Sequence, residues 1–339
     1  MALRGYPLLL SLACVVARHR LAPPSGTVIH AAGQEPGEFE AYSAFLAPSG
    51  VAPAVKMFYL GLASLNTTAP GTLSPWFASA AAALAADAAP DGAFIAMQLG
   101  LELPLNGEER RVADGEYANA IEALRFALVA LARPVWLRVG YEFNGGWNGY
   151  APATYVGAFR RIAAALHADP TLNQTVALVW DGSCDTAVDP TPFFPGADVV
   201  DWQGVNLFSD GSAPEAAAGS CVWYWLTDSA AAGIPLMIGE STPRFLFTNA
   251  SGTLAKWHAP LLSLLSARRP GLVSYISGDW TTAEGGRWST WGDSRIQVAT
   301  DDLKAAWVSG LSQPQFFHRA QRAQLLGMLG LPIDVFDKR

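Results

Sequence analysis

The chain predicts an α/β protein, a single-domain (β/α)8 TIM barrel. Eight short apolar runs recur along its 339 residues, helix-length amphipathic patterns separate several of them, and no shift in composition or long linker breaks the alternation. The runs fall at residues 27–30, 55–59, 93–98, 134–141, 175–180, 199–208, 235–239 and 272–277. Apolar strands separated by helices argue for a parallel sheet covered on both faces. Eight such units favour closure into a barrel, and a single barrel commonly takes about 250 residues or more. An open doubly wound sheet would be expected to carry a glycine-rich phosphate loop after its first strand. Ile29-His30-Ala-Ala-Gly-Gln34 is no such loop.

Taken in order, the first run ends at His30, on the face where barrel active sites lie, and that residue is read either as a ligand contact or as a satisfied core histidine. Helix candidates cover 74–87, 114–132, 153–167 and 252–268; in the second, Ile121, Leu124, Leu128 and Leu131 keep the spacing of one buried stripe. The fourth run carries the most information. In Pro134-Val-Trp-Leu-Arg-Val-Gly-Tyr-Glu142, period-two alternation puts Trp136, Arg138, Gly140 and Glu142 on one face and the apolar Val135, Leu137 and Val139, with Tyr141, on the other. Two charged positions on a lumen-facing side need a reason, because desolvating an unpaired ion is costly. A structural Arg–Glu ion pair is the competing account. The seventh run ends in Gly239-Glu240, followed by the turn sequence Ser241-Thr242-Pro243. Glu142 and Glu240 therefore cap strands four and seven, and in a barrel both open onto one face.

Composition narrows the class further. The chain is 51% hydrophobic and 15% charged with a net charge of -7, so it offers no basic footprint for nucleic acid. His19, His30, His167, His258 and His318 are scattered without metal-ligand spacing, and neither a metal nor another cofactor is expected. No Gly-X-Ser-X-Gly elbow suggests a serine hydrolase. Twelve tryptophans are many for one chain. An indole stacks on the apolar face of a pyranose, whose hydroxyls need fixed polar partners. On that basis Trp147, Trp180, Trp202 and Trp280 are candidate sugar platforms, with Asn144, Asn206 and Gln98 among the polar partners, whereas Trp136, Trp257 and Trp307 are read as core. Asp293 and Arg295 are read as a loop salt bridge or a ligand contact.

These residues resemble the retaining glycoside hydrolases of clan A. Trp136-Leu-Arg-Val-Gly-Tyr-Glu-Phe-Asn-Gly-Gly-Trp147 is similar to the motif of glycoside hydrolase family 26, the β-mannanase family, with Val179-Trp180, Asp201-Trp202-Gln-Gly-Val-Asn206, Asp279-Trp280 and Trp291–Ile296 in support. Tyr141 stands where that family has His, a divergence beside the scissile bond. The resemblance implies double-displacement cleavage of a β-linked glucan or mannan, with Glu240 as nucleophile, Glu142 as acid and then base, and Arg138, Tyr141, Asn144, Trp147, Trp180, Trp202, Asn206, Trp280 and His30 about the substrate. A carbohydrate-binding barrel without catalysis is the alternative.

At the N-terminus a basic residue precedes the short apolar stretch Tyr6–Ala17, too short to span a membrane, so residues 1–22 read as a signal peptide or anchor and the chain as secreted. Residues 23–312 then form the barrel, and 313–339 a helical tail packed on it. Cys184 and Cys221, on loops after strands five and six, are expected to pair in an oxidising compartment.

Overall fold

The computed structural model describes residues 19–34, 37–88, 92–208 and 217–337. Eight parallel strands close into a barrel: β1 Val28–Gly33, β2 Val55–Gly61, β3 Ala96–Glu102, β4 Val135–Val139, β5 Val176–Ser183, β6 Trp202–Leu207, β7 Leu236–Ser241 and β8 Leu272–Ile276. Each pairs with its sequence neighbour, and β8 returns to β1 in the register Ile29↔Leu272 to Gly33↔Ile276. The predicted alternation holds with one exception: residues 184–201, between β5 and β6, contain only the 3-10 turn Thr191–Phe193.

Period-two alternation sorts the core into two layers. Outward residues such as Leu99, Leu137, Leu178 and Val205 pack under the helices, while Ile29, Val55, Ala96, Trp136, Val179, Trp202 and Leu272 fill the lower lumen. Trp136 and Trp202 meet there edge to face, with centroids 6.1 Å apart.

The two ends of the described chain close this floor. Phe316 and Phe317 add a parallel segment to β1 opposite Val28 and Ile29, and helix Arg322–Leu329 lays Leu325 and Leu329 against the lower lumen. From the other end Leu21 enters the same cluster, the Trp202 indole N–H donates to the Arg20 carbonyl at 2.7 Å, and Arg20 pairs with Asp201 at 2.5 Å. Residues 1–18 of the expected leader lie outside the described residues, and Leu21 and Ala22 pack with the barrel floor. Among the described residues, no helix is long and apolar enough to cross a membrane.

Candidate active site

The upper lumen is organised around Arg138. Its side chain points inward from β4 and is fully buried. Nε and Nη2 donate to Asp181 Oδ2 at 2.8 and 2.7 Å, and Nη2 also donates to Asn206 Oδ1 at 3.2 Å and to Glu240 Oε1. The guanidinium lies over the rings of Tyr141, 5.1 Å from the centroid, and Tyr59, at 5.8 Å. A buried cation survives only where such partners replace water. Here two carboxylates from β5 and β7 and two aromatic faces do so.

Glu142 reaches this group by a route that strict alternation does not describe. β4 stops at Val139; Gly140 and Glu142 both take left-handed backbone, with φ of 57° and 54°. Gly140 thereby turns outward, where a Cβ would meet Tyr155 at 2.8 Å, and Tyr141 comes over Arg138. The one-face grouping of Arg138, Gly140 and Glu142 is corrected accordingly. A left-handed glutamate is strained and is held by its neighbours: its N–H donates to the Asp181 carbonyl at 2.8 Å, and Asn148 Nδ2 donates to its carbonyl at 3.0 Å. Its carboxyl accepts from Asn206 Nδ2 on Oε1 at 3.1 Å and from the Trp147 indole N–H on Oε2 at 2.8 Å. Burial, then the charge of Glu240, push this carboxyl up to about 8, against the opposing Asn206 bond.

Glu240 enters the lumen through a bulge. Val205 pairs with Ile238 but Asn206 pairs with Glu240, leaving Gly239 as the extra residue. Without that residue, alternation from the inward Met237 would turn Glu240 toward the helices. Only glycine fits at 239, because a Cβ would stand 2.6 Å from Asp181 Oδ1 and 3.0 Å from Arg138 Nε. Asn206 then lies between the two glutamates, its Nδ2 on Glu142 and its Oδ1 on the same Arg138 nitrogen that holds Glu240. Asp181 and Tyr59, absent from the expected site, both face it. Burial raises Asp181 to about 6 despite Arg138, and burial together with the Glu240 charge holds the Tyr59 hydroxyl well above its usual value.

The structure does not bring every expected residue to this group. Trp180 faces outward and is buried against Phe143, stacked at 4.9 Å, and Trp225 at 5.0 Å. Trp202 begins β6 rather than ending it and sits in the barrel floor. His30 is mid-strand and points outward, bonded to Tyr42, the Val51 carbonyl and His318. These three are corrections: nearness to a strand end does not tell the outward face of Trp180 and His30, and Trp202 stands at the start of its strand. Gln98, inward on β3, donates to the Gly239 carbonyl at 2.7 Å, supporting the bulge. Asn144 is buried and exchanges hydrogen bonds with Ser183 N–H and carbonyl, tying the β4 loop to β5. Trp280 is buried beyond β8 with its N–H 3.5 Å from Thr242 Oγ1, and packs beside Trp291 at 5.1 Å. Trp147 is half exposed above Glu142. Asp293 and Arg295 form a salt bridge at 2.7 Å that extends to Asp279 and Glu38. Cys184 and Cys221 are bonded, joining the end of β5 to the first residue of the helix after β6. Among the described residues, no group of His, Cys, Asp and Glu is placed to hold a metal ion.

The fold is that of a glycoside hydrolase-like (β/α)8 barrel. It is similar to a family 26 β-mannanase from Bacteroides ovatus, with a TM-score of 0.59 at 15% identity over 87% of this chain and 91% of that one. It is also similar to a modular endo-β-1,4-mannanase from Cellulomonas fimi, with a TM-score of 0.57 at 14% identity over 86% of this chain and 72% of that one. In sequence the chain is 27% identical to a β-1,3-xylanase of an Alcaligenes species, over 96% of this chain and 72% of that protein. It is 28% identical to a β-1,3-xylanase of a Vibrio species, over 94% and 72%. No protein-family profile matches the chain. The whole-length likeness to the two xylanases supports a glycoside hydrolase activity.

Proposed function

We propose that the chain is a retaining glycoside hydrolase that cleaves β-1,3-linked xylan by double displacement. The observation that carries the reading is the unlike setting of two glutamates joined through Asn206. Glu240 is bonded to the Arg138 guanidinium, which orients it for attack, whereas Glu142 has only neutral donors and is held protonated by burial. In the first step a Glu240 oxygen forms a bond to the anomeric carbon. The bond from that carbon to the glycosidic oxygen breaks, and the Glu142 proton passes to the departing sugar. Water then attacks the same carbon, gives its proton to Glu142 and releases Glu240. Trp147, exposed beside the acid, offers an indole face to the departing sugar.

The linkage rests on the two xylanases, which match nearly the whole chain at 27–28% identity, against 14–15% for the mannanases above. It differs from the mannan or glucan expected from the sequence motif. Secretion is part of the same proposal, supported by the disulfide, since such bonds persist in oxidising compartments.

The test is a panel of β-1,3-xylan, β-1,4-mannan and mixed β-glucan, with proton NMR of the first product formed. Fastest hydrolysis of β-1,3-xylan with a β-configured product is expected. An α-configured product overturns double displacement, preference for mannan overturns the linkage, and binding without hydrolysis returns the non-catalytic barrel. In the same assay kcat/KM should fall above about pH 8, where free Glu142 loses the proton it must donate.

A further inference from the structure

We propose that Asp181 is the positioning residue for both glutamates, fixing the Glu142 backbone with its carbonyl and aiming Glu240 through Arg138 with its carboxylate. This rests on the function proposed above and adds a third acidic residue to it. Asp181 continues the inward row of Ala177 and Val179 on β5 and is fully buried. Its carbonyl accepts the N–H of the left-handed Glu142 at 2.8 Å, the bond that holds the strained turn against β5. Its Oδ2 takes two donors from the guanidinium that also bonds Glu240.

Two features separate this from an ordinary buried ion pair. Asp181 Oδ1 has no hydrogen-bond partner, an expensive omission for a buried carboxylate oxygen. Around it the chain uses glycine on the next two strands, β6 and β7: a Cβ at Gly204 would stand 2.3 Å from that oxygen and one at Gly239 2.6 Å. Space has been cleared for a carboxylate that could have made its bonds to Arg138 with one oxygen. What the second charge does is divide the cation. Arg138 faces two acids at once, so Glu240 is oriented without holding the whole positive charge. When Glu240 becomes a neutral ester in the glycosyl-enzyme, Arg138 still has an anionic partner.

The groups facing Asp181 are Arg138 from β4, Glu240 from β7, Asn206 from β6 and Glu142 from the loop after β4. The Asp181 charge is one of those that raise the Glu142 carboxyl. Asp181→Asn keeps the shape and removes the charge. The expected result is a loss in kcat of roughly tenfold or more, with the alkaline limb of kcat/KM moved to lower pH. The second readout needs no turnover: carboxyl-13C glutamate NMR, with the Glu142 resonance assigned by Glu142→Gln, should show it titrating at lower pH in the variant than in wild type. Hydrolysis of no polysaccharide by wild type sinks the proposed function alone, while the NMR comparison still decides the Asp181 assignment. An unmoved Glu142 titration overturns that assignment even if activity drops, because a packing defect would do the same. Asp181→Ser, with room for water, carries the same comparison if the Asn variant does not fold. Failure of both to fold also overturns it, leaving Asp181 as scaffold.

Discussion

Glu240→Gln is expected to leave a folded barrel with turnover reduced by about a thousandfold or more. The amide is isosteric and its oxygen can still accept from Arg138 Nη2, so the geometry around the guanidinium is kept. The loss is chemical: an amide does not form the glycosyl bond that the first displacement requires. A second signature follows from the charges. Glu240 is the second-largest cause, after burial, of the raised Glu142 carboxyl, so in the variant Glu142 should titrate below its value of about 8. Any residual activity then loses its alkaline limb at lower pH. Stability is not expected to fall, because Arg138 keeps Asp181 as its counter-ion when the Glu240 charge goes. Initial rates, a pH profile and a thermal melt check all three points. More than a tenth of wild-type turnover in the folded variant would end the nucleophile assignment.

Much of this arrangement is legible in the sequence. Strand-length apolar runs gave the barrel and its order, and the two glutamates were picked out because each followed an apolar strand. Period two also held the missing residues. Counting from Val55 through Met57 puts Tyr59 inside, and counting from Ala177 through Val179 puts Asp181 inside and Trp180 out. Reading tryptophans by nearness to a strand end, without that count, misplaced Trp180. Trp202 was misplaced for a different reason: the run 199–208 hid where β6 begins, so a floor residue looked like a rim residue. The bulge at Gly239 and the left-handed turn at Gly140 leave a weaker trace. Both are glycines at strand ends, but what demands them is a carboxylate two strands away and a tyrosine on the helix that follows β4. Those are tertiary facts, visible only once the strands are side by side.

Arg138→Leu should have the largest effect on stability, a loss of about 3–5 kcal/mol at neutral pH. Leucine fills part of the volume but leaves Asp181 and Glu240 facing each other in the lumen without a cation. Removing one member of a buried ionic group is costly because the remaining charges stay desolvated. The pH dependence separates this from a packing defect. In the variant Asp181 has a folded-state value raised further above its unfolded one, since burial persists and the lowering effect of Arg138 is gone; even with Arg138 present, burial holds Asp181 at about 6. A group raised in this way leaves stability intact below its unfolded pKa and drains it as pH climbs through the interval up to the folded value. The gap between wild type and Arg138→Leu should therefore be smallest near pH 4, where Asp181 is protonated in both folded proteins, and widen toward neutrality, above the wild-type Asp181 value of about 6. Denaturant unfolding of the two proteins at pH 4, 6 and 8 measures it. Equal destabilisation at all three values would mean that Arg138 holds the barrel by its bulk. A gap that opens with pH would mean that the lumen is built around its charge, and that the glutamates owe their positions to the same cation.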